Sequence, residues 1–270
     1  MRRVLFSDLD GTLLDLKSYS FARTLKSVGA LKSQGIPIVF CSSKSRVEQE
    51  FYRDSMEVKD PFIVENGSAI FIPRGYFSQK IPYNTYVIDD YEVIALGKPV
   101  GFIRDVISKA RESMGLSLLC YFDLPAEEVS MYTGLDLRSS RRAMEREFSE
   151  TILKGRVTEG FNDYLKKNGL RNIPGSKFQT VVSDKADKGK AVDILISLYE
   201  KEWGGIISYG AGDSINDFEM LQSVHDPYLV QRPTGLWADL EDDTIKKVNG
   251  IGPSGWNKVA QIILEAPAHG

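Results

Sequence analysis

Two stretches of strand–helix alternation, one at each end of the chain, enclose a middle of different character. At the start, residues 3–7 read as a short buried strand, residues 20–34 carry helical spacing that stops at Gly35, and residues 36–41 are a second apolar strand. Several helix caps in Ser42-Ser43-Lys44-Ser45 precede a helix over 46–55, and short strands at 62–64 and 69–72 flank Asn66-Gly67, a hairpin signal. The alternation resumes with a helix over 188–199, a strand at 205–209, a short helix at 218–221, a strand at 228–230 and a final helix at 254–264. Strands this continuously apolar are buried on both faces, which predicts an α/β fold built on a parallel, Rossmann-like sheet covered by helices. In between, residues 84–185 mix strand candidates (85–88, 116–122, 178–182) with helices (100–114, 125–129, 139–147, 162–168) and carry no acidic strand end. The pattern therefore predicts a core made of residues 1–83 and 186–270, with residues 84–185 inserted as a second α/β domain.

The first strand runs into Asp8-Leu9-Asp10-Gly11-Thr12. Residues two apart in a strand point the same way, and Gly11 lets the chain turn beneath the two carboxylates. Such a pair repels unless a cation or a shared proton offsets it; an Asp-rich turn would read the same way on this pentapeptide alone. A second acidic loop, Gly210-Ala211-Gly212-Asp213-Ser214-Ile215-Asn216-Asp217, follows the strand at 205–209. Ligands of open α/β sheets bind beyond the carboxyl ends of strands. If these two strands are neighbours, Asp8, Asp10, Asp213 and Asp217 converge. Hard oxygen ligands in an incomplete cage suit Mg2+, which keeps waters and accepts a substrate phosphate. Two further features fit that phosphate. Ser42 ends the second strand, where its hydroxyl and the N–H groups of a helix start can bind an anion, although a plain N-cap reads alike. Lys188 opens a helix, where a cation opposes the dipole; an anionic substrate explains it, a solvated charge competes, and Lys190 is its rival.

Charged residues make up 26% of the chain and the net charge is −3, which gives no electrostatic case for nucleic acid or an anionic membrane as partner. No apolar run approaches the ~20 residues of a membrane span. The few apolar residues after Arg2-Arg3 do not make a signal peptide, so the expected placement is cytoplasmic. Cys41 and Cys120 form neither a disulfide framework nor a metal-ligand spacing. His225 and His269 are too few for a His-based metal site or triad, and nothing in the pattern sets an oligomeric state.

In order along the chain, Asp8-Leu9-Asp10-Gly11-Thr12, Ser42, Lys188 and Gly212-Asp213-Ser214-Ile215-Asn216-Asp217 resemble the four motifs of the haloacid dehalogenase superfamily of phosphotransferases. The resemblance covers residues 1–72 and 186–231, and the insertion resembles the large α/β cap of the Cof-type branch. It implies a two-step phosphoryl transfer in which Asp8 is the nucleophile and forms an aspartyl-phosphate. Asp10 would protonate the leaving alkoxide and then deprotonate water. The resemblance further implies Mg2+ held by Asp8, the Asp10 backbone carbonyl and Asp213, with Asn216 and Asp217 orienting that shell. Ser42 and Lys188 would bind phosphoryl oxygens. Many Cof relatives carry Thr-Gly-Arg at the second motif; here Ser42-Ser43-Lys44 departs from it but keeps the hydroxyl.

A second resemblance spans core and cap. Phe40-Cys41-Ser42-Ser43-Lys44, Ile63-Val64-Glu65-Asn66-Gly67, Phe71-Ile72-Pro73, Glu127-Glu128-Val129 with Thr133-Gly134-Leu135, Arg146-Glu147-Phe148-Ser149-Glu150 and Asp187-Lys188-Gly189-Lys190-Ala191-Val192 are similar to mannosyl-3-phosphoglycerate phosphatases. That similarity implies mannosyl-3-phosphoglycerate as substrate and mannosylglycerate, a compatible solute, as product. Lys44, Asn66, Arg146 and Lys177 become candidate substrate contacts, Arg146 and Lys177 for the glycerate carboxylate or the sugar, with surface charge as the competing reading. Three alternatives stay open: a phosphatase for another sugar phosphate, glucosyl-3-phosphoglycerate included; a phosphosugar mutase; and a catalytically silent binding protein. The intact set of Asp8, Asp10, Ser42, Lys188 and Asp213 argues against the last.

Overall fold

A computed structural model describes residues 1–175 and 177–266; Ser176 and residues 267–270, His269 among them, lie outside the described residues. The N-terminal part comprises β1 (Arg2–Ser7), α1 (Leu25–Ser33), β2 (Ile38–Cys41), α2 (Arg46–Met56), β3 (Phe62–Val64), β4 (Ala69–Pro73), β5 (Tyr86–Ile88) and β6 (Tyr91–Ala95). The middle comprises α3 (Val100–Met114), β7 (Leu119–Cys120), α4 (Ala126–Thr133), α5 (Leu137–Met144), β8 (Ser149–Lys154), α6 (Glu159–Lys167), β9 (Leu170–Pro174) and β10 (Gln179–Ser183). The C-terminal part comprises α7 (Lys188–Trp203), β11 (Ile206–Gly212), α8 (Phe218–Gln222), β12 (Asp226–Gln231), β13 (Lys246–Ile251) and α9 (Pro253–Glu265). No helix among these residues is long and apolar enough to cross a membrane.

The larger sheet runs β13-β12-β11-β1-β2-β3-β4-β6-β5. Pairing is parallel from β13 to β3 and antiparallel from β3 to β5. Side chains alternate across it. Leu5, Phe40, Phe62 and Trp256 pack in one core with Val28 and Leu31 of α1, while Val4, Phe6, Val39 and Ile63 pack in another with Leu195 and Tyr199 of α7. The parallel strands are thus buried on both faces, as their continuous apolar runs require. The chain winds from β1 towards β3 in one direction and from β11 towards β13 in the other, so β1 and β11 flank the switch point where such sheets bind ligands.

The smaller sheet, β7-β8-β10-β9, is antiparallel. Ile103, Phe161, Leu165 and Val181 form the core between it and α3 and α6; Tyr121, Val129, Ala143 and Leu153 form a second cluster under α4 and α5. A boundary at residue 84 would cut β5 and β6 from the larger sheet that they complete; the segment that builds the smaller sheet starts after β6. Two local expectations also shift. The helix expected from residue 20 starts at Leu25: residues 21–24 form a turn in which the Phe21 carbonyl accepts the Thr24 N–H and hydroxyl, and Ser20 Oγ accepts the Ala22 N–H. The helix expected over 139–147 runs over Leu137–Met144, capped by Asp136, and the chain then straightens into β8.

Candidate active site

Ser7 of β1 lies opposite Ala211 of β11, and the ladder continues one step as the Asp8 N–H donates to the Ala211 carbonyl (2.9 Å). That register carries Asp8 and Asp213 off neighbouring strand ends into one volume. Gly11 makes the approach feasible: it sits at φ +82°, and a Cβ there would fall 2.8 Å from Asp213 Oδ2. One carboxylate oxygen each from buried Asp8, Asp213 and Asp217 lie within 4.8 Å of one another. Lys188 reaches the same place from the first turn of α7, with Nζ 3.0 Å from Asp8 Oδ1 and 2.7 Å from Asp217 Oδ1. Asp217 also accepts the N–H groups of Asp213 (3.1 Å) and Ser214 (3.2 Å), which ties its orientation to the loop itself.

Three buried carboxylates around one ammonium leave an excess of negative charge. Burial, then repulsion from Asp217, pushes the Asp8 carboxyl well above its ordinary value; burial and Asp217 likewise push Asp213 up to about 7. Burial works against the Lys188 ammonium, but Asp217 and Asp8 outweigh it and hold its pKa well up. An all-oxygen set with uncompensated charge fits a hard divalent cation such as Mg2+.

Asp10 faces elsewhere. Because β1 ends at Ser7, the alternation of a strand no longer sets its direction, and its Oδ2 pairs with Lys44 Nζ (3.0 Å) rather than joining the triad. Lys44 Nζ also approaches Glu48 Oε1 (3.4 Å) and sits 4.8 Å above the Tyr19 ring. Burial raises the Asp10 carboxyl and Lys44 partly opposes it. Asp10 Oδ1 is buried and has no hydrogen-bond partner among the described residues. Glu48 is placed by a capping box in which Ser45 receives the Glu48 N–H and the Glu48 carboxylate receives the Ser45 N–H. Glu48 is absent from the residues that the motifs single out, although its Ser-x-x-Glu spacing is a signal that marks it.

A cleft of about 230 Å3 opens beside this pair, lined among others by Asp10, Lys44, Glu48, Arg146, Thr151 and Lys177. A chamber of about 400 Å3 shares Tyr19, Lys44, Glu48 and Leu135 with it and adds Phe51, Tyr52 and Arg142. Arg146 and Lys177 therefore both reach the cleft. Arg146 is largely buried and donates to the Ala143 and Ser43 carbonyls (2.9 and 2.7 Å); Lys177 is exposed and donates to the Thr133 carbonyl (3.2 Å).

The remaining candidates belong to the larger sheet and the loops and helices around it. Ser42 is buried at the end of β2, and its Oγ accepts the Lys44 N–H (3.3 Å); the cap of α2 is Ser45. Asn66 is buried at φ +61° and donates its N–H to the Ser42 carbonyl (3.1 Å), so it acts on that loop and does not line the cleft. Gly67, at φ +82°, presses against α7: a Cβ there would sit 2.2 Å from the Asp187 carbonyl and 2.4 Å from the Lys188 nitrogen. Gly67→Ala is expected to lose roughly 2–4 kcal/mol in urea unfolding, from overpacking against backbone plus a left-handed conformation; unchanged stability would show that the turn can yield. Asn216 is half-buried and hydrogen-bonded to Ser214 Oγ. Lys190 is exposed, which leaves Lys188 as the lysine of the site. His225 lies in the loop before β12 and pairs with Ser208 Oγ (2.6 Å).

Known proteins resemble this chain in sequence and in fold. A haloacid dehalogenase-like hydrolase family model matches residues 5–95. A glucosyl-3-phosphoglycerate/mannosyl-3-phosphoglycerate phosphatase of Methanococcoides burtonii is 39% identical over 271 residues, covering 98% of this chain and 98% of its own. A mannosyl-3-phosphoglycerate phosphatase of Pyrococcus horikoshii is 41% identical over 230 residues, 85% of this chain and 91% of its own. The crystal structure of a haloacid dehalogenase-like hydrolase from Bacteroides thetaiotaomicron shares the fold, with a TM-score of 0.68 at 13% identity over 97% of this chain and 100% of its own. By its four ordered motifs, its fold and these full-length relatives, the chain belongs to the haloacid dehalogenase-like hydrolases, in the family of the mannosyl-3-phosphoglycerate phosphatases.

Proposed function

We propose that this phosphatase is Mg2+-dependent and hydrolyses mannosyl-3-phosphoglycerate to mannosylglycerate and phosphate, with the segment between β6 and α7 acting as a cap over the site. The observation that carries the reading is buried Asp8, held between Lys188 and the Asp213–Asp217 pair at the carboxyl end of β1. A carboxylate oxygen of Asp8 attacks phosphorus, and the bond from phosphorus to the glycerate O3 breaks. Asp10 gives its proton to that departing oxygen; burial raises its carboxyl from the usual range, the direction a proton donor needs, while Lys44 opposes it. In the second step Asp10 takes a proton from water, the water oxygen attacks phosphorus, and the Asp8 carboxylate leaves as phosphate is released. Lys188 and the Ser42 hydroxyl face the phosphoryl oxygens and offset the charge that builds on them. Held by Asp8, Asp213 and the Asp10 backbone carbonyl, Mg2+ would withdraw charge from those oxygens and ease the approach of one anion to another. Asn216 and Asp217 keep the Asp213 loop in shape.

The substrate is supported by the relatives' names and by the cleft, where Lys44, Arg146 and Lys177 line the space next to Asp10. A leaving group that carries its own carboxylate suits such a cationic lining. The name of the Methanococcoides relative covers glucosyl- and mannosyl-3-phosphoglycerate, which favours acceptance of both sugars. The reduced, buried Cys41 and Cys120 fit a cytoplasmic enzyme. The test is kcat/KM for mannosyl- and glucosyl-3-phosphoglycerate beside simple sugar phosphates. A preference of at least about tenfold for a glycosyl-3-phosphoglycerate is expected; equal values would withdraw the substrate and leave a phosphatase of broader choice.

A further inference from the structure

We propose that Glu65 is the positioning residue that seats the Arg146–Ser149 segment of the cap over the reaction centre; the proposal rests on the substrate reading above and deepens it. Glu65 follows β3 in the larger sheet, at φ +50°, and is fully buried. The hydrogen bonds its carboxylate accepts among the described residues come from the N–H groups of Glu147 (2.9 Å) and Phe148 (3.1 Å) and from the Ser149 hydroxyl. All three donors belong to the chain entering β8, so a core carboxylate is satisfied wholly by the insertion. Removing the insertion from it would leave a charge and its donors to find new partners.

The same turn reaches the other half of the site. The Glu65 N–H donates to the Lys44 carbonyl (3.1 Å), the Asn66 N–H to the Ser42 carbonyl (3.1 Å), and the Gly67 carbonyl accepts the Asp187 N–H (3.4 Å). One short turn therefore touches the segments that carry Ser42, Lys44 and Lys188 and, on its outer side, holds the cap. Arg146, one residue before the first donor, sends Nη1 to the Ser43 carbonyl and lines the cleft with Asp10. The Arg46–Glu147 ion pair (3.1 Å), its side chains 17% and 26% exposed, also joins the two units, but a partly solvated pair fixes geometry less firmly than buried, charge-assisted bonds. A substrate that must reach Asp8 and Arg146 at once needs the cap seated. A phosphomonoester without carboxylate or sugar needs only the core.

The experiment uses the full-length enzyme with Mg2+ and the variants Glu65→Ala, Glu65→Gln and Ser149→Ala. It compares kcat/KM on mannosyl-3-phosphoglycerate with that on p-nitrophenyl phosphate, and thermal melting reports the fold. Glu65→Ala is expected to lose about 10- to 100-fold on the first substrate and less than about threefold on the second, with the milder variants showing smaller losses of the same selectivity. Equal losses on both substrates mark a purely structural role and overturn the proposal, as does no loss on either. Should Glu65→Ala fail to fold, Glu65→Gln and Ser149→Ala probe the same contact from its two sides. If the wild type hydrolyses p-nitrophenyl phosphate but no glycosyl-3-phosphoglycerate, the substrate reading fails by itself; the same comparison on its best sugar phosphate still decides Glu65.

Discussion

Asp8→Asn is expected to cost at least about 10,000-fold in kcat while the chain stays folded. An amide in that position cannot form the acyl phosphate, so the loss falls on the chemical step and not on substrate binding. The fold should tolerate the change for a reason visible in the pocket. Burial and the nearby Asp217 and Asp213 already disfavour a charged Asp8, and Lys188 keeps its shorter contact to Asp217 at 2.7 Å when Asp8 is neutral. The metal-free variant should therefore melt no lower than the metal-free wild type. Activity within tenfold of wild type would refute a covalent mechanism, and a collapsed melting temperature would show that Asp8 is part of what holds the strand ends together.

Chelation by EDTA should lower turnover by at least about 1,000-fold, with Mg2+ restoring it. The same charges predict how stability responds to pH. Asp8 and Asp213 have folded-state pKa values above the 3.8 of an ordinary aspartate, Asp213 at about 7. Between about pH 4 and 7 the unfolded chain releases protons that the folded chain retains, so stability is lost as pH rises through that window. Metal-free protein should melt at a higher temperature at pH 5 than at pH 8, and Mg2+ should raise the melting temperature more at pH 8, where it meets ionised ligands. Turnover that survives chelation, or an Mg2+ effect equal at both pH values, would remove the metal from the acidic cluster.

Most of the candidate site is legible in the amino-acid sequence. Asp8, Lys188, Asp213 and Asp217 stand at strand ends or at the opening of a helix, where residue type and position together constrain direction, and the register of β1 and β11 brings them together. Asp10 is harder, since the two-residue rule of a strand lapses after Ser7 and its carboxylate turns to Lys44. Lys44 itself stands out only as a departure at the second motif, and nothing in Ser42-Ser43-Lys44 announces its partner. Glu65 is illegible for a different reason. Its donors lie at residues 147–149, and pairing across that separation is decided by how the insertion docks. The missed strands follow suit. Of these, Leu170–Pro174 and Lys246–Ile251 hold edge positions and read as polar, irregular stretches that their neighbours in the ladder make strands, while Tyr91–Ala95 and Ser149–Lys154 lie inside the sheets.

The position of β1 also bears on how the chain acquires its shape. It precedes β2 through β10 in the chain and lies inside the sheet, yet one of its two neighbours is β11, with Arg2 opposite Ile206. Until the ribosome has released that distant strand, β1 has an open edge flanked by apolar side chains, and contacts of such long sequence separation form slowly. The smaller sheet has its own core and neighbouring strands close in the chain, so it can assemble while that edge waits. The acidic cluster is therefore completed late, and a chain interrupted anywhere before β11 carries Asp8 without the buried carboxylates that surround it.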